Sequence, residues 1–561
     1  MKGLTLKSSS AIGLGAITLS MFFGLTAQAA EPKDTVLAPG LMPRHSTPLP
    51  QVPPLGAAQP TVARVVPAAG GTWTAVTTAP VSGLCNPLLL TDGTVMLHDC
   101  DAPDWWKLTP DSSGNYADGT WSQLASLPVI GGTQYAPQYH ASAVLPDGRV
   151  IVMGGEYNGS NSEVWTNLGA IYDPVANTWT AVSPPAGTAW TNIGDAQSVV
   201  LADGTFLLAS CCGYPDADAL FDAATLTWTA TGAPNAGDSY QDEQGYNLLP
   251  NGNVLTIDIW TNYSTTGADP TNAEQYVPAS GTWMSAGNTP VSLPDPTVCG
   301  NFEIGPAVMR ADGTLVAFGG DTGCAGASPT VDPTAIYTAA TGVWTAGSNV
   351  PSVCGRGAKS PCTLADAPAA LLPDGNILFA ASAGYAESPT HFFEYTSKNA
   401  IEQVADTLFN ASSSSSFYYN FLVLPNGQIL STDFSSVPEL YTPKGTAKAG
   451  WAPVIAAGYP KKLIPGDSYT ISGTQLNGLS QGAYYGDDAQ ASTNYPIVRI
   501  RNVSTGKVVY ARTANHSTMS IEPGASGSTT FTVPASIGKG ASQLVIIANG
   551  IASKAVTVLV E

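Results

Sequence analysis

One feature constrains this chain more than any other: a turn glycine that recurs seven times. It falls at Gly93, Gly148, Gly204, Gly252, Gly313, Gly375 and Gly427, in "TDG", "PDG", "ADG", "PNG", "ADG", "PDG" and "PNG", at spacings of 48 to 62 residues. Each turn joins two short apolar runs, as in "ASAVLPDGRVIVM", the pattern of a β-hairpin. Downstream of most turns an aromatic residue and then a Trp mark a second strand pair, for instance "AIYDPVANTWTAV" and "EQYVPASGTWMSA". Four short strands per repeat make one propeller blade. Helical periodicity is nearly absent, so the expected fold is all-β, a seven-bladed propeller over about 70–450. The tryptophans of the series are Trp73, Trp121, Trp179, Trp228, Trp283 and Trp344. Trp73 precedes the first turn, while the seventh unit ends near Tyr441 without a Trp of its own. The Trp73 strand is therefore expected to complete the last blade and close the ring. Ile401 stands where the sixth unit should carry its Trp.

From Pro453 the repeat stops, and short runs such as "SYTISG", "PIVRIRN" and "SQLVIIAN" follow. This strand density over 453–561 suits a small immunoglobulin-like β-sandwich. At the other end, Lys2 and Lys7 precede the apolar run "AIGLGAITLSMFFGL", and "TAQAA" offers a cleavage site after Ala29. Residues 1–29 read as a signal peptide and 30–69 as a Pro-rich linker. No later stretch reaches the ~18 apolar residues of a membrane span. The mature chain is thus expected to be secreted or periplasmic.

Charge narrows the partners. The net charge is −20, yet only 11% of residues are charged. With no basic stripe, nucleic acid is excluded as a partner class. Eight cysteines in an exported chain favour disulfides. Cys85 and Cys100 lie symmetrically about Asp92-Gly93, so a two-residue turn places them opposite one another. Cys299 and Cys324 flank Asp312-Gly313, and Cys354 and Cys362 bracket "GRGAKSP". The adjacent Cys211 and Cys212 form either a vicinal bridge or two thiols.

Inner strands of a propeller run in one direction, so equal offsets from the turn share one height around the channel. Nine residues before the turn glycines stand Leu84, Tyr139, Asp195, Glu243, Ile304, Asp366 and Tyr418; Glu303 precedes Ile304 and Asp242 precedes Glu243. Asp195, Glu243, Glu303 and Asp366 would then face one mouth together with Tyr139. Such a set holds a hard cation, calcium or magnesium, or supplies an acid and a base acting on a sugar. The plainer alternative is a water-filled channel lined by solvated acids. Asp487-Asp488 in "YYGDDAQ" reads as a solvated loop and His391 as a structural blade histidine. Trp105-Trp106 either packs between blades or stacks on sugar rings.

A kelch-type seven-bladed propeller followed by an immunoglobulin-like domain resembles the galactose oxidase family of copper radical oxidases. There copper is held by two Tyr and two His, one Tyr being crosslinked to a Cys. Tyr139 in "YHASAVLPDG" matches the crosslinked tyrosine, Cys85 lies near the place of the crosslinking cysteine, and Tyr157 stands where the family has a stacking Trp. His516 in "TANHSTM" resembles the C-terminal histidine ligand that reaches the propeller mouth. Where the family has a Tyr-His pair this chain has Phe417-Tyr418 in register, or Tyr418-Tyr419 after a slip, so the resemblance leaves Tyr139, Tyr418 and His516 as candidate copper ligands without the second histidine. Three functions remain open: a propeller binding an extracellular glycan or cell-surface ligand, a non-redox glycan hydrolase or lyase, and a copper oxidase with an unusual ligand set.

Overall fold

The computed structural model describes residues 70–561 apart from 101, 160–163, 212–215, 235–240, 242, 260–270, 295–302, 321–330, 352–353, 355–361, 385 and 487–489. The proposed signal peptide and linker, Asp242, Asp487-Asp488, Cys212 and the Cys299–Cys324 pair lie outside the described residues. No described helix is long and apolar enough to cross a membrane.

The described residues are all-β. Six four-stranded antiparallel sheets and four strands of a six-stranded one form the seven blades of a propeller, numbered here 1 to 7 from the strand Leu84–Leu89 onward. All seven turn glycines adopt φ between 74° and 93°, the left-handed region that residues with a Cβ rarely enter. Their loops differ in length from the two-residue expectation. Leu90 N bonds Thr94 O and Gly93 N bonds Leu90 O, so three residues, Thr91, Asp92 and Gly93, make the turn. This is a type I turn finished by a left-handed glycine.

That extra residue shifts the first hairpin. Leu89 pairs Val95, a bulge follows at Asn86, and Cys85 faces His98 rather than Cys100. Cys100 still reaches back to form the Cys85–Cys100 disulfide across a Cα separation of 5.9 Å. A second disulfide joins Cys354 to Cys362.

Trp73 closes the ring as expected. Thr72–Ala75 pairs with Glu439–Thr442 of blade 7, with Trp73 opposite Tyr441. The recurrent tryptophans staple one blade to the one before. Indole N–H groups of Trp73, Trp121, Trp179, Trp228, Trp283 and Trp344 donate to the carbonyls of Ala405, Thr77, Ala125, Ser183, Gly232 and Ala286, at 2.7 to 3.1 Å. Blade 6, which carries Ile401 instead, is tied to blade 5 by Arg310 Nη2 donating to Asn399 Oδ1 at 2.8 Å. Trp105 is fully buried, stacked on His98 and tilted against Trp179; it packs blades together.

From Val454 a second set of strands folds around its own core of Leu463, Ile471, Val498, Phe531, Leu544 and Val558. The strand Val508–Ala514 pairs with Ile497–Asn502 on one side and Ser526–Thr532 on the other. This unit sits on the turn end of the propeller, where Arg512 pairs with Asp92 and Thr518 Oγ1 donates to Ala202 O.

The channel is not open water. A hairpin of the second unit, Gly482–Tyr485 with Ala491–Ser492, runs up the propeller axis. It adds a strand to the innermost strand of blade 6, Pro368 facing Tyr485 and Ala370 facing Ala483. Around it, Gln481 Oε1 accepts from Leu248 N of blade 4, Tyr485 Oη donates to Phe417 O beside blade 7, and Tyr495 Oη to Leu89 O of blade 1. The expectation of solvated acids lining a free channel fails for this reason: protein fills the axis.

Candidate functional site

At the mouth, the end of the inner strands away from the turns, the chain enters blades 2, 4 and 6 through an unusual backbone. Tyr139, Glu243 and Asp366, each nine residues before its turn glycine, have φ of 49°, 58° and 48°. Left-handed backbone costs a non-glycine residue about 1 kcal/mol or more, and it persists only where the surroundings impose it. Here the anchors are Glu156 N to Tyr139 O at 3.0 Å and Asp366 N to Ile304 O at 3.3 Å. The repeated distortion turns equivalent side chains of blades 2, 4 and 6 the same way.

Blades 4, 5 and 6 supply an acidic half. Oxygens of Glu243, Glu303 and Asp366 lie within 4.8 Å of one another. The three residues are 5%, 1% and 9% exposed. Glu303 is seated by Gly320, where an added Cβ would fall 2.2 Å from the Glu303 carbonyl oxygen. Gly486 of the axial hairpin comes close on the other side, where a Cβ would lie 2.9 Å from Asp366 Oδ1. Gly320 needs glycine because the Glu303 backbone passes at contact distance, and a Cβ at Gly486 would press on the Asp366 carboxylate.

Asp195 does not join this group. Its Oδ1 lies 3.0 Å from Sγ of Cys211, a sulfur already bound in a disulfide. The offset from the turn set its height correctly, but the side chain turns into blade 3.

Blades 2 and 7 supply an aromatic half. Tyr139 packs edge-on to Tyr157 at 6.2 Å and lies 6.5 Å from Phe434, which in turn meets Tyr418 at 5.7 Å. Tyr139 and Tyr418 are half-buried. Burial first, then the nearby Glu156, Tyr418, Tyr157 and Asp366, hold the Tyr139 hydroxyl well above the ordinary phenol range, so it stays a protonated donor. Glu156 and Phe434 were not legible as site residues. Phe434 had one signal: Asp433-Phe434 stands where blades 2 and 5 carry Gly154-Gly155 and Gly319-Gly320.

His516 is not at the mouth. Its N–H donates to Pro146 O at 3.1 Å, in the turn at the opposite end of the blade 2 strand. Its Nδ1 meets Thr529 Oγ1 at 2.9 Å, and its ring stacks on Tyr495. Burial pulls it down to about 4, so it is a neutral packing residue between the two units. His391, between Asp406 Oδ2 and the Cys354 carbonyl, is likewise structural.

A copper centre of the radical-oxidase kind does not fit these residues. The Cys85 sulfur is bonded to Cys100, neither Phe417-Tyr418 nor Tyr418-Tyr419 supplies a histidine, and His516 faces the wrong end. His140, next to Tyr139, meets Asn86 Nδ2 through Nε2 at 3.2 Å. Cys85, His98 and Cys100 cluster as metal ligands would, but the sulfurs are joined to each other, and burial holds His98 down at about 3.

No family model and no curated protein matches this chain. Solved structures do. A fungal alcohol oxidase of the AA5 family, in complex with copper, aligns over 88% of this chain and 99% of its own with 15% identity and a TM-score of 0.47. The extracellular domain of a hybrid two-component system from B. thetaiotaomicron aligns over 90% of this chain and 60% of its own with 10% identity and a TM-score of 0.41. YCF48 bound to D1 peptide aligns over 69% and 99%, with 13% identity and a TM-score of 0.41. Such likeness is one of outline, and function has to be argued from the mouth itself.

Proposed function

We propose that this chain is an exported binding protein that captures a polyhydroxylated extracellular ligand, a glycan, through a calcium ion held by Glu243, Glu303 and Asp366. The observation that carries this is the buried carboxylate trio. Calcium binds oxygens at about 2.3–2.6 Å, so two oxygens on one ion lie at most about 5 Å apart, the spacing found here. Three buried like charges without a cation are costly. Calcium takes 6–8 oxygens, so carboxylates of three residues leave positions for ligand hydroxyls, while Tyr139 and Tyr418 offer ring faces opposite. Carboxylates crowded onto one point suit a cation better than the widely separated acid and base of an inverting glycan hydrolase. Two disulfides fit the oxidising compartment that export implies.

Calorimetric titration of chelator-treated protein tests the reading. One calcium per chain is expected, with a rise in melting temperature; at 100 times Kd the stabilisation is about 2.7 kcal/mol. Glu303→Gln should act in opposite directions, raising the melting temperature without calcium and lowering affinity by about tenfold or more. No binding heat and no calcium-dependent shift in the wild type would reject the proposal.

A further inference from the structure

On blade 1, away from the blades that carry the three carboxylates, one hairpin face gathers two sulfurs and an imidazole. Cys85 and His98 face each other across paired strands, and Cys100 stands two residues beyond His98. Alternate residues of a strand share a face, and residues paired across strands stand on the same one. The three side chains therefore meet. One ligand atom from each lies within 4.8 Å of the other two. Cys85 and His98 are buried, while Cys100 is partly exposed and opens the cluster to solvent.

The imidazole is already oriented for a metal. His98 Nε2 lies 2.8 Å from the Ala102 carbonyl, and a carbonyl can only accept, so the ring proton sits on Nε2. Nδ1 keeps its lone pair and faces the Cys100 sulfur at 3.9 Å. A histidine whose second nitrogen donates to a backbone carbonyl is the usual arrangement at a metal centre. Trp105 stacks on the ring at 4.6 Å and fixes its plane. Zinc holds sulfur at about 2.3 Å and nitrogen at about 2.0–2.1 Å, so a shared tetrahedral ion sets the two about 3.6 Å apart. The spacing found is close to that. Two sulfurs on the same ion stand about 3.8 Å apart, so the disulfide must open first. Backbone holds the ligands when it does: Cys85 is paired with His98, and Cys100 N donates to Gly83 O at 2.9 Å.

We propose that Cys85, His98 and Cys100 form a zinc site that opens when the Cys85–Cys100 disulfide is reduced, so that bridge and ion are alternative occupants of one place. A dithiol supplies two electrons and two protons. The S–S bond breaks, both sulfurs become thiols, and the dithiol closes to its own disulfide. Zinc then displaces the two thiol protons to solvent and bonds both thiolates and His98 Nδ1. The thiolates balance its charge, and water fills the fourth tetrahedral position. Thiolate ligands favour zinc, whereas carboxylates favour calcium, so this site and the mouth take different ions. None of this depends on calcium at the mouth.

The whole chain, folded with its disulfides formed, is reduced at neutral pH with and without zinc and then alkylated with iodoacetamide. The reductant is a phosphine, which gives up two electrons and takes an oxygen from water. Peptide mass spectrometry reads each cysteine separately, so zinc held by the mouth carboxylates does not register. Zinc is expected to slow alkylation of Cys85 and Cys100 about tenfold or more, because a thiolate bonded to metal is no longer a free nucleophile. Cys354 and Cys362 should react at the same rate with and without zinc, and calcium should protect none of the four. Cobalt in place of zinc should give the visible absorption of a tetrahedral thiolate complex. His98→Gln keeps the disulfide with which to fold, and should lose both the protection and the cobalt absorption. Should that variant not fold, alkylation and cobalt absorption of the wild type decide alone. Equal alkylation of Cys85 and Cys100 with and without zinc overturns the proposal. Protection that extends to Cys354 and Cys362, or that survives in a folded His98→Gln, overturns it too.

Discussion

Trp73→Ala is expected to lower the melting temperature by about 8–12 °C. The side chain is 7% exposed, its ring centroid 5.0 Å from those of both Phe392 and Tyr441. Truncating a buried Trp costs about 3–5 kcal/mol, and the Ala405 carbonyl loses its donor at a further cost of about 1 kcal/mol. In a propeller of this size each kcal/mol moves the midpoint by about 2 °C. Position matters as well as area, because Trp73 lies on the strand that closes the ring against blade 7. Trp179→Ala removes an equivalent staple inside the ring, from a half-buried side chain. Calorimetry should find its effect to be less than half as large. Equal losses for the two variants would show that ring closure adds nothing.

The second large effect is on pH. Burial raises Glu439 to about 8, against hydrogen bonds from the Leu408 and Phe409 amides, and Asp218 to about 7. Both values exceed those of the unfolded chain, near 4. A raised carboxylate contributes stability that is full below the unfolded value and is lost as pH climbs through the folded one. Below about pH 6.5 the buried neutral histidines His98 and His516 oppose this, because their unfolded forms bind protons there. Stability should therefore fall between about pH 6.5 and pH 8. Each group removes about 1.4 kcal/mol per pH unit between its two values. Melting midpoints across that range should drop by several degrees, and Glu439→Gln with Asp218→Asn should remove most of the slope. A flat profile, or one that rises with pH, contradicts the buried-acid account.

The parts legible in sequence were those set by local chemistry. Asp-Gly and Asn-Gly turns announce themselves, and a Trp missing from one end of a repeat and spare at the other can only close a ring. The height of Glu243, Glu303 and Asp366 followed from counting back along strands of common direction. Counting did not fix rotation, so Asp195, at the same height, turned toward Cys211. Nor did the residues of "DG" say whether a loop holds two residues or three, and the added turn residue together with the bulge between Cys85 and Leu88 moved the partner of Cys85 from Cys100 to His98. His516 was misplaced because a short run such as "TANHSTM" identifies a strand end without saying which face of the propeller it meets. The axial hairpin was hidden altogether. "GAYY" has the composition of an ordinary strand, and strand pattern does not reveal which sheet it will join across a hundred residues of chain.

That hairpin gives the order of synthesis a consequence. The strand that closes the ring, Thr72–Ala75, leaves the ribosome early, whereas Gly482–Tyr485 emerges near the end. A nascent chain that has reached Thr442 holds every blade but leaves the inner edge of blade 6, Pro368–Leu371, without its partner strand. Apolar unpaired edges recruit other chains. Release of a truncated product at that stage therefore presents an adhesive propeller to its neighbours, and a protease that clips the final unit does the same to the finished protein.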